Sequence, residues 1–338
     1  MPHSRSARRR LIAIRPTPRS TPLTALTTSV KPGLGHSPVW CDPGGMETAT
    51  TRHRDVEIAY ETLGPASGEP LLLVMGLGMQ LLAWPDDFCA GLVERGFAVA
   101  RFDNRDVGES THLHDAGAPG LTALLLRPAA VAAYRLEDMA DDAVAVLDAL
   151  GWDSAHVVGA SLGGMIAQTV AIRHPSRVRT LTSIMSTPST RIGRARLRAL
   201  LALAPRRVPD RDAAARRYLH VFRIIGSPGY PRDEEWMLDV GRRSHDRSHD
   251  PDGVGRQLAA IAAAADRRPG LAGVRVPTLV LHGEDDPLIQ VAGGQATAAA
   301  VPGARLVTYP GMGHDLPRAL WPSMIDEIAS LTGRSEAG

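Results

Sequence analysis

A serine set among glycines is the first place in this chain where residue type and spacing suggest chemistry: Gly159-Ala160-Ser161-Leu162-Gly163, with Gly164 next. A serine hydroxyl is a poor nucleophile until a base takes its proton, and that base must be held in the right tautomer by a third group. Both partners follow downstream. The apolar stretch Thr278–His282 runs into Gly283-Glu284-Asp285-Asp286-Pro287, and Arg305–Thr308 runs into Pro310-Gly311-Met312-Gly313-His314. The pattern predicts Ser161 as nucleophile, His314 as general base and Asp286 as orienting acid. Asp286 is preferred to Asp285, and both to Glu284, because the residue before a proline is held extended and so aimed predictably. Glycines around His314 let its loop curl the imidazole over the serine.

Acyl transfer also needs donors for a tetrahedral oxyanion, each worth roughly 3–4 kcal/mol of barrier. The Leu162 amide, immediately after the nucleophile, is one expected donor. The second is expected from Gly76-Leu77-Gly78-Met79, with Leu77 N–H as the donor and Gly76 and Gly78 allowing substrate close to the backbone. Trp84 is placed at the mouth of the substrate pocket, with burial in the core as the competing reading. The cluster Asp103-Asn104-Arg105-Asp106-Val107-Gly108 reads as a salt-bridged loop that braces the oxyanion loop. His282 is expected to support the site rather than react, and His156 to be a strand-boundary residue.

These residues must sit on elements that aim them. Leu71–Met75, Phe97–Phe102, Ala155–Gly159, Arg179–Met185 and Pro277–His282 are apolar runs of the length of parallel strands buried on both faces. Asp55–Glu61 alternates like a half-buried strand, and Ala304–Thr308 supplies the last. Leu136–Leu150, Gly164–His174 and Pro322–Leu331 have helical periodicity. Strands alternating with helices predict an α/β fold, a mostly parallel central sheet with helices on both faces. The core is expected over 46–186 and 272–334. Between them, 187–271 reads as a helical lid, with Leu197–Leu203, Ala213–Ile225 and Val254–Ala264 periodic. Met185, Ile192 and the Leu197–Leu203 helix are expected to make the pocket apolar.

Residues 1–45 carry seven basic side chains against Asp42 alone, so the +2 of the whole chain leaves −4 on residues 46–338. This basic leader is expected to be disordered or a misassigned start. An acidic body offers no nucleic-acid footprint. No apolar run is long enough to span a membrane, and stable membrane association is not expected. Cys41 and Cys89 are the only cysteines. They lack metal-ligand spacing and read as reduced thiols in a cytoplasmic protein.

The stretches VMGLGMQLLAWPDDF, RFDNRDVGEST, DDAVAVLDALGWDSAHVVGASLGGMIAQ, VPTLVLHGEDDPL and PGMGHDLP resemble the α/β-hydrolase superfamily. They are most similar to the group that contains aclacinomycin methylesterase. The resemblance spans roughly Glu57 to Thr332 and thins across the insertion. It implies the α/β-hydrolase fold, the triad Ser161, Asp286 and His314, oxyanion amides at Leu77 and Leu162, and no metal or organic cofactor. It further implies hydrolysis of a small-molecule carboxylic ester, a methyl ester among the candidates, through an acyl-enzyme. Carbon–carbon bond hydrolases, perhydrolases and acyltransferases share the triad, and a receptor-like relative could retain it. The loop Gly76-Leu77-Gly78-Met79 departs from the Gly-Gly-Asn form of the methylesterase.

Overall fold

Alternate side chains of the strand Glu69–Val74 decide the layering. Leu72 and Val74 pack with Met139, Leu147, Ile166 and Val170 from the helices Leu136–Ala149 and Leu162–Arg173. Leu71 and Leu73 pack with Phe88, Leu92, Met324 and Ile328 from Asp86–Glu94 and Trp321–Leu331. Both faces are therefore covered by helices, and burying each such leucine contributes about 1.5–3 kcal/mol. The computed structural model describes residues 48–333. The basic leader read over 1–45 lies outside the described residues, and with it Cys41.

The sheet has eight strands: β1 (Ala49–His53), β2 (Val56–Leu63), β3 (Glu69–Val74), β4 (Phe97–Phe102), β5 (Ala155–Ala160), β6 (Val178–Ile184), β7 (Thr278–Gly283) and β8 (Arg305–Tyr309). Their order is β1-β2-β4-β3-β5-β6-β7-β8. β1/β2 and β2/β4 are antiparallel, and every other pair is parallel. The carboxyl ends of β3, β5, β7 and β8 thus open on one edge, where ligands bind in sheets of this kind. Between β6 and β7 the chain inserts the helices Leu197–Ala202, Arg211–Ile225, Glu234–Arg247 and Pro251–Ala263. Glu234–Arg247 has no counterpart in the sequence reading, because its hydrophilic composition hides its narrow apolar stripe. Among the described residues no helix is long and apolar enough to cross a membrane. Cys89 is a free thiol in the core, and burial pushes its pKa up to about 12.

The loop after β4 is built from buried ion pairs. Arg105 holds Asp142 through two bonds of 2.6 and 2.7 Å, and Arg256 holds Asp106 through two of 2.9 and 2.7 Å. Asn104 Nδ2 donates to Met75 O at 2.9 Å, and Leu81 N–H donates to Asp103 at 2.7 Å. The second pair ties the core loop to the insertion, since Arg256 lies on Pro251–Ala263. Removing one member of such a pair strands a buried charge, at a cost of about 3–5 kcal/mol. Arg256→Ala is expected to lower the unfolding free energy by that amount in urea titrations followed by circular dichroism. A loss under about 1 kcal/mol, the worth of an exposed pair, would show that the tie carries no weight.

Candidate active site

Strand β5 ends at Ala160, and the helix Leu162–Arg173 begins one residue later. Ser161 alone makes the turn, at φ 58° and ψ −119°. A non-glycine residue held there stores about 1–3 kcal/mol of strain. The neighbours leave no alternative. A Cβ added to Gly159 would lie 2.1 Å from Gly163 O, and one added to Gly163 would lie 2.0 Å from Val74 O. Ser161 N–H donates to Ile184 O at 2.8 Å, and Ser186 Oγ donates to Ser161 O at 2.8 Å. The hydroxyl is thereby presented at the sheet's open edge.

His314 Nε2 lies 2.9 Å from Ser161 Oγ, and its Nδ1 lies 2.6 Å from Asp286 Oδ2. Asp286 is 2% exposed. Its other oxygen accepts the amides of Leu288 and Ile289 at 2.8 and 2.9 Å. With that oxygen occupied, the remaining one takes the Nδ1–H, which leaves the Nε2 lone pair facing the serine hydroxyl. The rival acids serve the loop instead. Asp285 accepts from Gly311 N–H at 3.0 Å, and Glu284 from Thr308 Oγ1 at 2.8 Å. His282 is buried behind the carboxylate, its Nε2 donating to Ile289 O at 2.7 Å and lying 3.7 Å from Asp286 Oδ2. Burial lowers its pKa and keeps it neutral. His156 bonds Thr180 Oγ1 at 2.9 Å within the sheet.

The support for the histidine loop was not legible in the sequence. His314 N–H donates to Ile225 O at 2.7 Å, at the end of the helix Arg211–Ile225. Gly313 N–H donates to Ser227 Oγ at 2.9 Å, Gly229 N–H to Gly311 O at 2.9 Å, and both Ser227 donors reach Asp315. Residues 225–229 of the insertion therefore strap the loop in place. The available signals were Asp315 beside His314 and the break at Gly226-Ser227-Pro228, but nothing in the sequence joins them.

On the facing side, a Cβ on Gly76 would lie 3.2 Å from Ser161 Cβ and 3.7 Å from its Oγ, so only glycine leaves that space open. The amides of Leu77 and Leu162 have no hydrogen-bond acceptor among the described residues. The Leu162 amide is also in the first turn of a helix, where N–H groups are left over. Two expectations need correction. Gly78 does not face the substrate space: its amide donates to Gln257 Oε1 at 2.8 Å, and its Cα abuts Val254. Gln257 in turn donates to Arg105 O at 2.8 Å, so Gly78 anchors the loop to the ion-paired brace. Trp84 does not line the pocket either. It is 0% exposed and stacked on Phe88 with ring centroids 5.8 Å apart. Its carbonyl accepts from buried Arg101 at 2.7 Å, which fixes the indole in the core.

Ser161, His314, Gly76 and Leu77 line a cavity of about 720 Å³. Its apolar walls include Met185 and Ile192, as expected, together with Phe222 and Trp236 from the inserted helices. A smaller cavity of about 180 Å³ lies against Gly78 and Val254. His112 and Asp250 border it and, with His114, form the one metal-type grouping among the described residues. Arg256 already holds that Asp250 carboxylate at 2.8 Å.

A model of the alpha/beta hydrolase fold matches residues 69–317. Rhodomycin D methylesterase of Streptomyces sp. (strain C5) is 30% identical over 311 residues, 85% of this chain and 98% of that protein. The rhodomycin D methylesterase of Streptomyces peucetius is 30% identical over 313 residues, with the same coverage. The crystal structure of the enol-lactonase from Burkholderia xenovorans LB400 superposes with a TM-score of 0.66 at 24% identity, over 85% of this chain and 100% of that one. With this sheet order, this turn at the serine and these relatives, the chain belongs to the α/β-hydrolase family, in its aclacinomycin methylesterase-like group.

Proposed function

We propose that this protein is a serine carboxylic-ester hydrolase acting through an acyl-enzyme, with Ser161, His314 and Asp286 as its catalytic triad. The unbroken hydrogen-bonded run from Ser161 Oγ through His314 to Asp286 carries this reading. His314 Nε2 takes the hydroxyl proton as Oγ attacks the ester carbonyl, and Asp286 stabilises the imidazolium. The Leu77 and Leu162 amides receive the oxyanion. Collapse expels the alcohol, which leaves with the proton from His314. Water then repeats the attack, giving up its proton to His314 and releasing the acid and free serine.

The inserted segment 187–271 acts as a lid over the core 46–186 and 272–334, and its side chains set the substrate. A cavity of about 720 Å³ falls within the range that encloses drug-sized ligands. Two relatives are named as methylesterases, which supports the methyl ester of a large, mostly apolar acid. The free, buried Cys89 accords with a cytoplasmic setting.

Wild type is expected to turn over p-nitrophenyl butyrate many times at pH 7–8, with Ser161→Ala lower by about 10⁴-fold or more. A folded wild type at the background rate would indicate a receptor-like relative rather than an esterase. Asp286→Asn is expected to hold the wrong imidazole tautomer and lower kcat by about 10⁴-fold. Asp285→Asn, an exposed change, should stay within about twofold of wild type, equivalent to about 0.5 kcal/mol. Equal losses in the two variants, measured by steady-state kinetics, would count against Asp286 as the orienting acid.

A further inference from the structure

The wall of the apolar cavity above Ser161 includes Arg194, Arg232, Asp233, Asp315 and Arg318; Arg194 is exposed to solvent, and Asp233, Asp315 and Arg318 have partners. Asp315 accepts from Ser227 N–H and Oγ–H. Asp233 caps the helix Glu234–Arg247 by accepting from Trp236 N–H at 3.0 Å. Arg318 is paired with Asp87 and lies 5.1 Å from the centre of the Trp321 ring. Arg232 differs. Its Nε is sealed from solvent and has no hydrogen-bond partner among the described residues. Its nearest acid is Glu234, with Oε1 3.9 Å from Nη1. That carboxylate is already held by Arg223 through bonds of 3.0 and 2.7 Å.

Arg232 lies just beyond the segment that straps the histidine loop, and its side chain, 23% exposed, lines the same cavity as Ser161 and His314. Burial pushes the Asp315 carboxyl up, and its hydrogen bonds from Ser227 and the positive charge of Arg232 oppose that rise. A buried N–H of a charged group that has no acceptor destabilises the protein that carries it. A bound anion would compensate it, and the planar fork of arginine is matched to carboxylates.

We propose that Arg232 is the specificity-determining anchor of this cavity, and that the natural ester bears a second group, a carboxylate, which the guanidinium receives while Ser161 meets the ester carbonyl. This rests on the serine-esterase reading above. The apolar walls take the carbon frame between the two oxygen groups. The lid thereby selects for charge as well as bulk.

The test compares kcat/KM for charged and neutral members of two ester series. One series pairs methyl hemiesters of dicarboxylic acids, from succinate to suberate, with methyl esters of the matching monocarboxylic acids. The other pairs acetyl esters of ω-hydroxy acids with acetates of the matching alcohols. In one series, at its best chain length, the carboxylate is expected to raise kcat/KM at least about tenfold, equivalent to about 1.4 kcal/mol. In Arg232→Gln that ratio should fall to about one, and Arg232→Lys should keep part of it, having the charge without the fork. Because the readout is a ratio within each variant, a general loss of activity cancels. Thermal melts and fluorophosphonate labelling of Ser161 check that the variants fold. Neutral esters turned over with no carboxylate preference in either series, or a preference that survives Arg232→Gln, would overturn the anchor and leave the esterase reading standing. Preference for cationic choline esters would overturn it too, by showing that Asp233 and Asp315 dominate the wall. If folded wild type turns over no ester at all, the esterase reading falls and the anchor with it.

Discussion

The site depends on one imidazole held from three sides. His314 reaches Ser161 through Nε2 and Asp286 through Nδ1, while its own backbone N–H is bound to Ile225 O. In the proposed mechanism the first two bonds form the proton path, and the third fixes the backbone that carries the imidazole. A loop rich in glycine has a large entropy of its own, roughly 1–2 kcal/mol per residue fixed. The loop around His314 is ordered by contacts from outside itself: Asp285 from the β7 side, Ser227 and Gly229 from the insertion. Contacts from both sides set where the imidazole lies relative to Ser161.

The oxyanion loop is secured by a different kind of interaction. Leu77 and Met79 pack against the core, and polar bonds fix the backbone around them: Asn104 binds Met75 O, and Gln257 binds Gly78 N–H and Arg105 O. The ion pairs Arg105–Asp142 and Arg256–Asp106 clamp the loop from which these contacts come. Buried pairs are weak sources of net stability but costly to break. They suit a loop that must have one geometry. Fixing Gly78 this way leaves the neighbouring Leu77 amide unspent, as a preorganised donor requires.

What the sequence disclosed follows from how local each signal is. The turn at Ser161 was legible because its glycines are forced by contacts within a few residues and with β3. The strands carrying Asp286 and His314 were legible as apolar runs, and Pro287 singled out the one of three acids that bonds His314. The loop after β4 was legible as a brace because its charges lie side by side. The corrections at Gly78 and Trp84 have a common cause: both lie on a stretch that could face the substrate or the core. The choice was made by residues further along the chain, Gln257 in one case and Arg101 in the other. The same holds for Ser227 and Asp315, whose pairing spans 88 positions.

The helical insertion joins specificity to chemistry in a way that a separable lid would not. Its helices supply Phe222, Trp236 and Arg232 to the cavity wall, and the end of the same helix that carries Phe222 supplies the carbonyl that holds His314. Phe222 and Ile225 are three positions apart, less than one helical turn. A substitution that reshapes the wall by moving this helix must therefore also move the base. Interior packing is dense enough to transmit such a shift rather than absorb it. A displacement of about 1 Å in a reacting group is enough to cost about 100-fold in rate. Side chains that change the wall without displacing that helix or the histidine loop, such as those at Arg232 or Ile192, are free of this coupling. Substrate range can shift most readily at those positions, while Arg211–Ile225 is constrained by the proton path it supports.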